Sequence, residues 1–159
     1  MVLSPSCAKL GVAFIYKDQY LRYTFRVGSY YDLIPSTKTT VTWVMRNIHG
    51  MKFEDGPGDL AQEDLTKVLQ HIQAIGITES GRSAIGYKGG HIERDALRKA
   101  CIPHYNIEDV GCPTYNKLFR MYDVISAPTC GLHCYCREGV TVHCPVAETA
   151  LFRKWLLDQ

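Results

Sequence analysis

The sequence predicts one α/β domain spanning residues 1–159, a mixed β-sheet flanked by helices. Three observations predict it: β-rich runs gather near the N-terminus, apolar residues recur at helical spacing from Leu65 onward, and short apolar runs alternate with helical ones after that.

The elements follow in order. Residues 11–16 form a nearly continuous apolar run, as expected of a strand buried on both faces. Lys17-Asp18-Gln19 is a polar turn, and residues 20–27 alternate like a strand with one wetter face. Residues 39–45 are a third β-rich run after the loop that holds Ile34 and Pro35. A Gly/Pro loop covers residues 55–59. Leu65, Val68, Leu69, Ile72 and Ile75 then define an amphipathic helix of about four turns, with Gly76 as its C-terminal stop. Residues 83–87 read as a short buried strand. The next helix carries Ile92, Leu97 and Ala100 and ends before Pro103. Residues 105–108 are a strand, 116–122 a short helix and 128–140 a cysteine-rich loop or hairpin. The last helix begins around Cys144 and Pro145 and turns Ala147, Ala150, Leu151 and Trp155 inward. A meander followed by alternating elements implies a mixed sheet covered by helices.

Composition narrows the class. With 46% hydrophobic and 21% charged residues the chain is long enough to bury a core without crosslinks, and its +2 formal charge demands no polyanionic partner. No run approaches the ~20 apolar residues of a membrane span, and residues 1–9 lack the layout of a secretory signal. An intracellular, reducing location is expected, with no distinction between nucleus and cytoplasm. The seven cysteines are an odd number, and five of them fall between Cys112 and Cys144 together with His133 and His143. That crowding favours metal over disulfides.

Three segments, in order, resemble the DEDDh exonuclease family of RNase H-like folds. Ile34-Pro35 followed by Asn47-Ile48-His49-Gly50 is similar to the family's stretch before its first helix. Residues 85–97, with Glu93 and Leu97, are similar to its second acidic motif, and residues 143–152 to its last, which joins a histidine to an acid. The resemblance implies two-metal phosphodiester cleavage, in which two Mg²⁺ or Mn²⁺ ions about 4 Å apart are held by converging carboxylates. It carries catalytic roles onto Glu93, Glu108, His143 and Glu148. The family's Asp-x-Glu is missing from residues 12–17, where only Asp18 follows in the turn, and Tyr87-Lys88 stands where the family has His-Asn. Glu93 and Asp95 equally suit a solvated helix face, and His49 and His91 suit loop or surface positions.

Cys130-x₂-His133 with His143-Cys144 ten residues on has the close-then-distant spacing of a zinc site. Glu108 and Cys112 both qualify as fourth ligand, and Cys134 and Cys136 lie near enough to compete. Cys7 and Cys101 suit buried free thiols. The back half also resembles Maelstrom domains, exonuclease-like folds without the acids, which implies a zinc set of Glu108, Cys130, His133 and Cys144.

The expected function is therefore a catalytically degenerate exonuclease-like domain, stapled by structural Zn²⁺ and serving RNA, single-stranded DNA or protein binding. Arg94, Arg98, Lys99, Lys117 and Arg120 offer cations for it, with Tyr105, Tyr115 and Phe119 for base stacking. The alternative is an active nuclease requiring Mg²⁺ or Mn²⁺. A protein-interaction module, including self-association, is a third reading, in which the ten tyrosines supply an aromatic surface.

Overall fold

The computed structural model describes residues 2–6, 9–26, 28–50, 58–122 and 143–159. Its strands are β1 (Val2–Ser6), β2 (Lys9–Ala13), β3 (Tyr20–Thr24), β4 (Ile85–Tyr87) and β5 (His104–Asn106). Its helices are α1 (Pro35–Val44), α2 (Leu65–Ser80), α3 (His91–Lys99), α4 (Tyr115–Met121) and α5 (Pro145–Leu157). The protein is a mixed α/β structure, as its sequence predicts.

One sheet joins all five strands in the order β3-β2-β1-β4-β5. β1, β2 and β3 are antiparallel neighbours, whereas β4 runs parallel to β1 and β5 parallel to β4. Side chains alternate between the faces. Leu10 and Val12 of β2 join Val68, Leu69 and Ile72 of α2 and Leu97 of α3 in the larger apolar cluster. Gly11 faces the other way, where a Cβ would lie 2.2 Å from the carbonyl oxygen of Pro145. Glycine is thus what lets the start of α5 rest on β2. Behind that contact, Leu151, Phe152 and Trp155 of α5 pack with Tyr115 and Leu118 of α4 and with Ile107.

Four sequence expectations change. Residues 39–45 are not a strand: residues 39–44 belong to α1, which has Pro35 in its first turn, and Met45 opens the π turn that follows, Met45–His49. The third strand of the meander is instead β1, at the N-terminus. Gly76 does not stop α2. It is buried within the helix, which ends at Gly81, where φ is +68° and the amide donates to the Ile77 carbonyl. Strand β5 ends at Asn106, and Ile107–Val110 form a 3₁₀ turn.

Candidate functional site

In open α/β sheets, ligands sit beyond the carboxyl ends of the parallel strands, where the strand order reverses. Here that point lies between β1 and β4. The register aligns Val2 with Gly86, which sets Ser4 level with Lys88, and Ser4 also faces Gly11. Because Gly11 touches Pro145, the first turn of α5 stands at the same end of the sheet as Lys88. The residues that follow β4 and β5 and those that open α5 therefore gather at one edge.

Strand β1 reads Val2-Leu3-Ser4-Pro5-Ser6 and contains no carboxylate. Residues 12–17, the end of β2 and the turn after it, contain no carboxylate either. Asp18 stands in that turn, at the opposite end of the sheet, since Ala13 pairs with Val2. It accepts from the Tyr20 hydroxyl at 3.1 Å and pairs with Arg153 at 3.3 Å. It is remote from the edge where Lys88 and the start of α5 meet.

Beyond β4, the Lys88 side chain is 8% exposed and its ammonium meets Glu108 Oε1 at 2.9 Å. It also donates to the Cys112 carbonyl at 3.0 Å. Asn106 shapes the turn by accepting from the Glu108 amide at 3.1 Å. The hydrogen bond from Lys88 is the largest influence holding the Glu108 carboxyl below its ordinary pKa; burial opposes it, and the charge of Lys88 and a hydrogen bond from Asn106 reinforce it. Cys112 is buried, and that burial pushes its thiol up to about 11; Lys88 pulls it down and Glu108 adds to the rise. Glu93, in the first turn of α3, folds back over Gly89, where a Cβ would lie 2.7 Å from its Oε1.

At α5, His143 Nδ1 and Glu148 Oε1 share a hydrogen bond of 2.7 Å. The Tyr115 ring packs on the His143 ring with centroids 4.9 Å apart. Burial, followed by the charges of Glu148 and Cys144, raises the Tyr115 hydroxyl. The His143 amide donates to the Ile48 carbonyl at 2.9 Å, tying the π turn to this corner. Cys144 is buried at the residue that precedes α5.

The predicted zinc set is described in part. Glu108, Cys112 and Cys144 supply donors of suitable chemistry, but a zinc ion on Glu108 would have to displace the Lys88 ammonium. Cys7, Cys130, His133, Cys134 and Cys136 lie outside the described residues. Among the described residues no three His, Cys, Asp or Glu side chains are placed to hold a metal together. Cys101 is not a buried thiol; it is exposed, with φ at +56°.

The predicted basic surface is divided. Arg94, Arg98 and Lys99 are exposed on α3, which packs with α2, while Lys117 and Arg120 are exposed on α4, which packs with α5 across the sheet. Arg94 also pairs with Asp95 at 3.3 Å. Of the proposed stacking residues, Tyr105 is partly open, whereas Tyr115 is buried and Phe119 packs against the same cluster. Tyr115 therefore supports His143 rather than offering a face to a base.

No helix among the described residues is long and apolar enough to cross a membrane. No protein-family model, curated protein or solved structure matches this chain.

Proposed function

We propose that the chain is an RNase H-like, exonuclease-type domain that has given up phosphodiester cleavage and works by binding RNA or single-stranded DNA, a protein partner, or both. The observation that carries this reading is the Lys88–Glu108 ion pair. A two-metal centre needs carboxylates free to neutralise cations. Here a protein ammonium already neutralises Glu108, and β1 brings no acid to the same edge. The mixed sheet supports the fold: an antiparallel meander is extended beyond its first strand by parallel strands reached through helices. Structural zinc completes the proposal, held by Cys130, His133 and Cys144 with Glu108 or Cys112, where it would join the cysteine-rich segment to the start of α5 and add to folding stability.

The test is incubation of labelled single-stranded RNA and DNA with Mg²⁺ or Mn²⁺, alongside binding measured at low and high salt. Intact substrate and salt-weakened binding are expected. Degradation that disappears in both Glu108→Ala and Glu148→Ala would instead establish a working nuclease. One observation favours that second reading: the His143–Glu148 hydrogen bond is the kind of pair that could orient a general base.

A further inference from the structure

The stretch that sequence periodicity assigns to a strand carries an exposed aromatic ring, Trp43. No residue of α1 is buried, although the helix carries Val41, Trp43 and Val44 and follows Ile34. Trp43 is 57% exposed, and Tyr31 and Ile34 are more exposed still. One face of α1, with Tyr30 beside it, lines a groove of about 350 Å³ that includes Lys38, Thr42, Trp43, Arg46 and Asn47.

Among the described residues the lining holds two cations, two aromatic rings and uncharged polar groups, but no carboxylate; Asp32 lies outside it. Much of the lining is already positioned. The Tyr30 hydroxyl bonds Thr42 Oγ1 at 2.8 Å, Lys38 donates to the Tyr31 carbonyl at 2.9 Å, and Asn47 donates to the Trp43 carbonyl at 2.7 Å. Lys38 lies 5.8 Å from the centroid of the Tyr30 ring. The Arg46 guanidinium, in contrast, has no hydrogen bond or ion pair among the described residues. Flat apolar rings next to cations match a ligand that alternates planar apolar groups with negative charge. Single-stranded nucleic acid has that chemistry, with bases for Trp43 and phosphates for Lys38 and Arg46. An acidic peptide supplies the charge without the planar rings.

We propose that the α1 groove binds single-stranded nucleic acid, with Trp43 as the stacking platform and Lys38 and Arg46 as phosphate contacts. This rests on the nucleic-acid arm of the function proposed above and moves its site from α3 and α4 to α1. Arg46 and Asn47 of the π turn line the groove, and the carbonyl of the next residue, Ile48, bonds the His143 amide.

The chain has two tryptophans, and Trp155 is buried, so Trp43 is the solvent-open reporter. A 12-nucleotide oligouridylate is titrated into the full chain, followed by tryptophan emission and by anisotropy of a labelled copy. Quenching is expected. Trp43→Ala weakens binding about 5- to 150-fold, the range of base–aromatic stacking, while Trp43→Phe retains most of it. Lys38→Ala and Arg46→Ala each lower the salt slope by about 0.7, and Arg94→Ala with Arg98→Ala changes affinity less than twofold. Unchanged binding in Trp43→Ala with loss in the Arg94/Arg98 variant overturns the α1 site and leaves nucleic-acid binding standing. Quenching by polyglutamate but not by oligouridylate overturns the site in favour of an acidic peptide. No binding of oligouridylate by any variant overturns both the site and the nucleic-acid arm.

Discussion

Replacing Glu108 with alanine removes the one carboxylate that meets the Lys88 ammonium among the described residues, and leaves that buried cation with the Cys112 carbonyl. Replacing Lys88 with methionine leaves Glu108, whose side chain is 48% exposed and can take water instead. The two changes break the same contact, yet their consequences differ. A buried charged donor left short of partners costs about 1–3 kcal/mol, whereas a half-exposed carboxylate losing its partner costs about 0–1 kcal/mol once solvent screening is counted. At pH 7, Glu108→Ala should lower Tm by about 2–12 °C and Lys88→Met by no more than about 4 °C. The contrast also has a pH signature. The Glu108 carboxyl titrates below its ordinary 4.5 in the fold, so the pair contributes fully above that value and its contribution fades as pH falls through the folded pKa. The stability gap between the natural chain and Lys88→Met should therefore narrow as pH falls below 4.5. Urea denaturation of both variants and the double variant at pH 7 and at pH 3 measures all of this. If Lys88→Met costs as much as Glu108→Ala at pH 7, or if the gap does not narrow at all between pH 7 and pH 3, Lys88 is not a buried cation held by Glu108.

Other parts of the fold give three further predictions. Gly11→Ala drives a Cβ into the Pro145 backbone and should cost about 3 kcal/mol, a fall in Tm of about 6–12 °C, whereas Gly28→Ala meets nothing within 4 Å and should change stability by less than about 1 kcal/mol; thermal melts compare them. Cys101→Gly relieves a left-handed backbone of about 1–2 kcal/mol against the greater entropy of an unfolded glycine, so chemical denaturation should register a gain of about 0.5–1 kcal/mol. Protein purified without chelator or metal-affinity tag should carry about one zinc per chain by mass spectrometry, lost in Cys130→Ser and Cys144→Ser; loss in Glu108→Ala as well gives the fourth place to Glu108, retention gives it to Cys112, and metal-free folded protein refutes the zinc proposal.

Much of the fold is legible where apolar spacing is enforced by a core. Leu65, Val68, Leu69 and Ile72 mark α2 because one stripe of the helix faces the sheet, and Ile85 and Tyr87 mark β4 because it is buried. The misreadings have particular causes. Thr39, Thr40, Val41 and Thr42 suggest a strand by their branching. In α1, Thr39 and Thr40 turn their hydroxyls back to the Pro35 and Ser36 carbonyls at 3.2 and 3.3 Å, so the helix itself satisfies them. Strand β1 is short and contains Pro5, which argues against a central strand. Its pairing with β4 is limited to Val2 and Leu3, so Pro5 lies past that ladder. Gly76 looks like a helix stop, yet the feature that ends a helix is a positive φ, and this occurs at Gly81. The site residues around Glu108 and His143 are legible as types. Their partners are not, because Lys88 lies 20 residues from Glu108 and Tyr115 packs on His143 only through the fold.

The electrostatics of the carboxyl edge argue against a two-metal centre on more than one count. In a two-metal centre the acids repel one another until cations arrive. In this chain Glu108 has Lys88 and Glu148 has His143, while Ser4 and Ser6 of β1 add no charge. A divalent ion entering here would have to expel an ammonium that is 8% exposed, and would gain no acid from β1 in return. Removing Lys88 alone would therefore not create a metal site, because a lone half-exposed Glu108 cannot hold two ions. Under the proposed function the Lys88–Glu108 pair has a structural role instead. It fixes the turn after β5 through Asn106 and Cys112. On that proposal the carboxylate supports the structure through an ammonium, and the edge binds rather than cleaves.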